Sequence, residues 1–268
     1  MTTKNTPAKK PQAEVPAYLN QGPALGVDNI GMEDIVIPRL KIVQGQSRAK
    51  ANNKKLIDGA WYHSVTENII CPPDEALTLY FLLKWGGRII FDDNLKFVAS
   101  EYTDYNSKET IAIGEPVDDK DPRWIDCINY FVVTQADLID GIKSGVAPDP
   151  FIYSAMSASM TPAKKLNSHF KAAGKRNFSM FAHRIIATTQ MQKFDKGNAF
   201  MPVFTPKGYA SEKEFAGLKA LYKICSKLAS TEAAQKEDEK EERQAPQRGQ
   251  TGPAEPKGEP DTSFDFDE

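Results

Sequence analysis

The chain has 268 residues, of which 40% are hydrophobic, enough apolar material for a real core and too much for a chain disordered throughout. Its 34 Lys or Arg nearly balance 36 Asp or Glu, for a net charge of −2, so the total favours no particular partner and the distribution has to be read instead. Cys71, Cys127 and Cys225 lie too far apart for a zinc or redox-dithiol motif and are expected as reduced core thiols. Met1–Lys10 lacks a signal-like apolar stretch and no segment approaches the roughly 20 apolar residues of a membrane span, so a cytoplasmic protein is expected.

Residues 1–34 are rich in Pro, Gly, Lys and Asn without apolar periodicity, the pattern of a flexible arm. A domain is expected over residues 35–229. It opens with β-branched Ile35–Val43, where Pro38 implies an edge or a break. A polar loop, Gly45–Gly59, leads to Ala60–Val65 and then to the apolar run Leu77–Trp85, which reads as a buried strand. Gly86-Gly87 followed by Arg88–Phe91 predicts a hairpin turn between two strands. Further strands are expected at Lys96–Ala99, Ile125–Val133, Pro150–Tyr153 and Ser179–Thr188.

Helical spacing appears at Pro162–Ala173, with Thr161 as N-cap and Gly174 as terminator. A second helix is predicted over Ser211–Leu228, where Ser211 and Glu214 are spaced as a capping box and Phe215, Leu218, Leu221, Tyr222, Cys225 and Leu228 form an apolar stripe. Residues 230–258 have linker composition, and residues 259–268 form an acidic tip.

Charge reverses within the folded part. Acids outnumber bases roughly two to one between Asp74 and Asp140, whereas Thr161–Lys207 carries Lys164, Lys165, Lys171, Lys175, Arg176, Arg184, Lys193, Lys196 and Lys207 against the single Asp195. Between these cations lie Phe170, Phe178, Phe181, Phe194, Phe200 and Phe204. Cations for phosphates interleaved with rings for unpaired bases are the ingredients of single-strand binding, although any one phenylalanine has a ready alternative in the core. Lys193–Asn198 reads as a hairpin tip with Gly197 in a left-handed position, exposing Lys193, Phe194 and Lys196, and this ranks Phe194 above the other phenylalanines, Phe178 among them, as a stacking candidate. Trp61 and Tyr62 are further platform candidates on an early strand, while Trp85 is expected in the core.

The chain contains no Gly-x-x-x-x-Gly-Lys loop, His-Glu-x-x-His, Gly-x-Ser-x-Gly or dinucleotide fingerprint. His63, His169 and His183 are isolated in sequence and are expected to be structural. Asp92, Asp93, Asp121, Asp126 and Asp137 leave open a metal-dependent nuclease, though a solvated acidic face is the simpler explanation. The acidic middle also leaves open an interaction protein that mimics nucleic acid to inhibit a host factor.

The tip, Glu259-Pro-Asp-Thr-Ser-Phe-Asp-Phe-Asp-Glu268, holds Phe264 and Phe266 among Asp261, Asp265, Asp267 and Glu268. Rings flanked by carboxylates suit an apolar pocket rimmed by cations, on a partner or on the chain's own basic groove. With its linker, this tip resembles that of bacterial and tailed-phage single-stranded DNA-binding proteins, although this chain ends Asp267-Glu268. Gly31–Gln44 also resembles the start of a group of phage proteins of similar length. The resemblance implies an oligonucleotide-binding barrel and a role in phage replication or recombination in the host cytoplasm. The expectation is therefore an α+β, β-rich domain, either such a barrel or a curved antiparallel sheet with a packed C-terminal helix. It would bind single strands without turnover or cofactor while the tail recruits replication or recombination proteins.

Overall fold

The computed structural model describes residues 36–45, 47–94, 96–104, 108–194 and 197–228. The expected arm, linker and acidic tip, and Lys196, lie outside them. In chain order the elements are β1 (Leu40–Ile42), α1 (Arg48–Asn52), β2 (Trp61–His63), β3 (Ile69–Cys71), β4 (Leu77–Phe91), β5 (Phe97–Thr103), β6 (Thr110–Gly114) and β7 (Ile125–Thr134). They continue with α2 (Gln135–Ser144), β8 (Phe151–Met156), α3 (Met160–Gly174), β9 (His183–Phe194), β10 (Gly197–Tyr209) and α4 (Glu212–Leu228).

The fold is α+β and strand-rich, built on two open antiparallel sheets. Among the described residues neither sheet closes into a barrel. β1, β2 and β3 form the smaller sheet, tied to the larger by a bridge between Arg39 and Ile152 and by the Gln44 side chain, which grips both backbone polar groups of Phe200 at 2.8 and 2.9 Å. In the larger sheet, β7 runs along one edge of β4 from Leu79 to Ile89. The other edge is shared, with β9 pairing to Leu77–Leu79 and β5 to Gly87–Phe91.

The predicted turn at Gly86-Gly87 is not formed, and β4 runs through both glycines as one strand of 15 residues. What Gly87 supplies is closeness: a Cβ there would clash with the Tyr102 ring and come within 2.7 Å of the Glu101 carbonyl of β5. A Gly-Gly pair in an apolar run therefore marks a close strand approach here rather than a reversal.

Both faces of the sheet are covered around β4 and β7, which explains why β7 is buried continuously from Cys127 to Thr134. On one face Tyr80, Phe131 and Val133 pack against Leu218, Leu221 and Cys225 of α4. On the other, Phe81, Tyr130 and Ile185 pack against Leu166 and Phe170 of α3 and against Trp61. The expected C-terminal helix thus forms and packs on the sheet, and its capping box is made: Ser211 donates its backbone N–H and its hydroxyl to Glu214 Oε2, each at 2.7 Å. Helix α2 was not anticipated, although Thr134 accepts from the Asp137 N–H and Gly145 closes the helix at φ 75°, both recognisable cap signals. The three cysteines are free and buried. Burial pushes the Cys71 thiol up to about 11, with help from Glu75, and the Cys225 thiol up to about 12.

Candidate nucleic-acid interface

Helix α3 buries Ala163, Leu166, Phe170 and Ala173 and leaves Lys164, Lys165 and Lys171 exposed on its outer side. It begins one residue before the predicted N-cap, Thr161, with Ser159 preceding it and no side-chain cap. It ends at Gly174, the residue expected to terminate it. Asn177, not Gly174, takes the left-handed conformation (φ 60°), and the Phe178 N–H turns back to the Ala173 carbonyl at 3.2 Å. This closure leaves Lys175 and Arg176 in solvent and delivers Phe178 to the surface two residues after Arg176.

Phe178 meets Tyr209, a residue that the sequence did not single out. The β9–β10 register slips between Pro206 and Tyr209 across Gly208 at φ 88°, an irregularity of the kind that re-aims a side chain. The two rings lie 5.4 Å apart at 35° and remain 44% and 54% exposed. The two rings thus form a small exposed aromatic patch, a feature that can serve an interaction site. Behind it, the His183 ring lies 5.1 Å from Tyr209, and its Nδ1 is 3.2 Å from His169 Nε2. Burial, and then the neighbouring His169, lower the His183 pKa, so a neutral imidazole backs the pair. The two histidines stand 14 positions apart in sequence, so their partnership was hidden there.

The remaining sequence candidates separate into two groups. Lys164, Lys165, Lys171, Lys175, Arg176, Lys193 and Lys207 are exposed, and among the described residues none of them forms an ion pair. Arg184 does: it lies 3.6 Å from Glu214 Oε2 and donates to the Tyr80 hydroxyl at 3.4 Å, so it is a structural cation rather than a free phosphate ligand. Trp61 and Tyr62 are 0% and 6% exposed. Trp61 edges onto Tyr153 at 6.0 Å, and Tyr62 packs in a small cluster with Val43 and Leu56, which removes both from any base platform. Phe170 and Phe181 are buried, and Phe194, Phe200 and Phe204 are half-buried.

β9 and β10 pair as far as Phe194 with Gly197 and Lys193 with Asn198, the flanks of the expected hairpin tip, whose Asp195 and Lys196 lie outside the described residues. Lys193 projects from it while Phe194 is half covered. From His183 to Phe194 the ribbon spans about 36 Å, so Lys193 near its tip and the aromatic pair sit at opposite ends of it.

The acidic residues of the middle region have local duties. Asp92 accepts backbone N–H groups from Asn94 and Lys96, both at 2.8 Å. Asp121 holds Arg123 in a fork that lowers its own pKa. Asp137 accepts from the hydroxyl of Thr134, the N-cap of α2, at 2.6 Å, Asp126 stands opposite Arg88 across the β4–β7 ladder, and Asp93 lies in the turn before β5. Among the described residues no three His, Cys, Asp or Glu side chains gather closely enough to hold a metal ion, and no helix is long and apolar enough to cross a membrane. No protein family, curated protein or solved structure matches the chain.

Proposed function

We propose that this protein binds single-stranded nucleic acid without turnover, holding bases on Phe178 and Tyr209 and phosphates on the cations around them. The supporting observation is the exposed Phe178–Tyr209 pair, in which Phe178 stands two residues beyond Arg176 and Tyr209 two residues beyond Lys207. A planar ring pair in a cationic setting suits stacking in a sequence-tolerant way. The open sheet does this work in our proposal as well as the expected oligonucleotide-binding barrel would, because the platform needs only a ribbon end and a helix end. The proposed setting is protection of single strands during phage replication or recombination, with the acidic tip recruiting partner proteins.

Fluorescence-anisotropy titration of the full chain against labelled single-stranded and duplex oligonucleotides at two salt concentrations, with and without magnesium, tests the proposal. Salt-sensitive preference for the single strand, with the DNA intact on a gel, is expected. Phe178→Ala with Tyr209→Ala should cost roughly 1–3 kcal/mol per lost stacked base while leaving the salt dependence unchanged. Absence of binding overturns the proposal, and magnesium-dependent cleavage transfers it to the nuclease alternative.

A further inference from the structure

The shared edge of β4 has a gap. β9 leaves it after Leu79 and β5 joins it only at Gly87, so among the described residues no strand pairs with that edge between Tyr80 and Gly86. The 3₁₀ turn Met180–Ala182 occupies the line that β9 has left, and α4 packs across it. Between these elements lies a cleft of about 540 Å³, with Lys84 on its strand wall, Ser179 and Phe181 on its turn wall, and Lys219, Tyr222 and Lys223 on its helix wall. Phe181 and Tyr222 lie ring to ring at 5.5 Å and 36°.

We infer that this cleft is a second nucleotide subsite, continuous with the Phe178–Tyr209 platform and occupied by the same single strand; the inference rests on the function proposed above. Three observations carry it. The cleft wall begins at Ser179, the residue after Phe178, and Phe181 follows Phe178 by three positions, a span of at most about 11 Å. Its rim is cationic: Lys84, Lys219 and Lys223 are all exposed, and among the described residues none of them is paired with a carboxylate. Its floor is apolar and aromatic, with a volume in the range of small-ligand pockets, so a base can enter the cleft while its phosphates stay on the lysines. The three lysines lie outside the basic stretch Thr161–Lys207 and enter the surface only through folding. Lys219 and Lys223 are one helical turn apart and so share a face of α4.

The test compares three full-length proteins in the single-strand anisotropy assay: wild type, Lys84→Gln/Lys219→Gln/Lys223→Gln, and a control, Lys54→Gln/Lys55→Gln/Lys120→Gln, whose exposed lysines lie elsewhere. At about 0.7 counterions released per single-strand phosphate, loss of three contacts should make the fall in affinity between 50 and 200 mM salt roughly twenty-fold shallower in the cleft variant than in the control. Photocrosslinks from 5-iododeoxyuridine oligonucleotides should map to Tyr222 or Phe181. A cleft variant that behaves like the control, while Phe178→Ala/Tyr209→Ala loses affinity, overturns the subsite and leaves the proposed function standing. Tighter binding by the cleft variant also overturns it, because that result assigns the cleft to the competing acidic tip. If the wild type does not bind single strands at all, the proposed function fails first.

Discussion

Replacing Glu214 by Gln tests whether one buried charge locks four elements together. Its side chain is 7% exposed. Oε1 accepts from the Tyr80 hydroxyl of β4 at 3.0 Å and from the Gln135 amide of α2 at 2.6 Å. Oε2 takes both Ser211 donors at the start of α4 and faces Arg184 of β9. Burial by itself would raise the pKa, but the bonds from Gln135, Ser211 and Tyr80 outweigh it and bring the carboxyl down to about 2 from an ordinary 4.5. A depressed acid contributes stability above its unfolded pKa and loses it as pH falls through the folded one. At about 1.4 kcal/mol per unit the charge is therefore worth about 3 kcal/mol above pH 4.5, fading toward pH 2.

Gln keeps the volume but must place an amide N–H₂ against either the Gln135 amide or the Ser211 N–H, which leaves a buried donor unsatisfied. Urea unfolding followed by tryptophan fluorescence should show Glu214→Gln less stable by about 2–4 kcal/mol at pH 7, the deficit closing between pH 4.5 and pH 2. A deficit that stays constant across that window would refute the assignment of the effect to charge.

Gly87→Ala should cost about 2 kcal/mol or more through collision with Tyr102 and Glu101, whereas Gly86→Ala, with nothing within 4 Å of its Cβ, should fall within about 0.5 kcal/mol of wild type; equal effects in chemical denaturation would contradict the close-approach explanation. Lys193→Glu at the hairpin tip should weaken single-strand binding and flatten its salt slope, and an unchanged titration would confine the interface to the Phe178 end of the ribbon. Cys71 and Cys225, held at about 11 and about 12, should react with a thiol-exchange reagent at pH 8 only as fast as the protein opens; prompt labelling of either in the native protein would show that burial does not protect it.

Local rules were legible in the sequence, and partnerships between distant segments were not. The Ser211–Glu214 cap was readable because both residues act within one helical turn, but the other donors to Glu214 come from positions 80, 135 and 184. The glycine pair at 86–87 carried the composition of a turn and the function of a close contact, and only the neighbouring strand, 15 residues later, distinguishes the two. Trp61 and Tyr62 illustrate a related limit. Alternation placed them on opposite faces of a strand, but the small sheet has a cluster on each side, so both are buried. Tyr209 was overlooked because its significance depends on the bulge at Gly208 and on the helix end at Asn177, neither of which leaves a periodic trace.

The reversal of charge along the chain becomes a separation in space through the pairing of β4. The basic ribbon β9–β10 joins β4 at Leu77–Leu79, and the acidic β5–β6 segment joins it at Gly87–Phe91, about 30 Å further along the same strand. A net charge of −2 therefore conceals two opposed regions, each several Debye lengths from the other at physiological salt. Among the described residues Lys193 and Lys207 of the ribbon have no carboxylate partner and Arg184 is held by Glu214, whereas at the β5 end Asp92 and Asp121 are engaged in their own turns. The nearly neutral total therefore lets the chain carry regions of opposite charge without the self-repulsion of a strongly charged molecule.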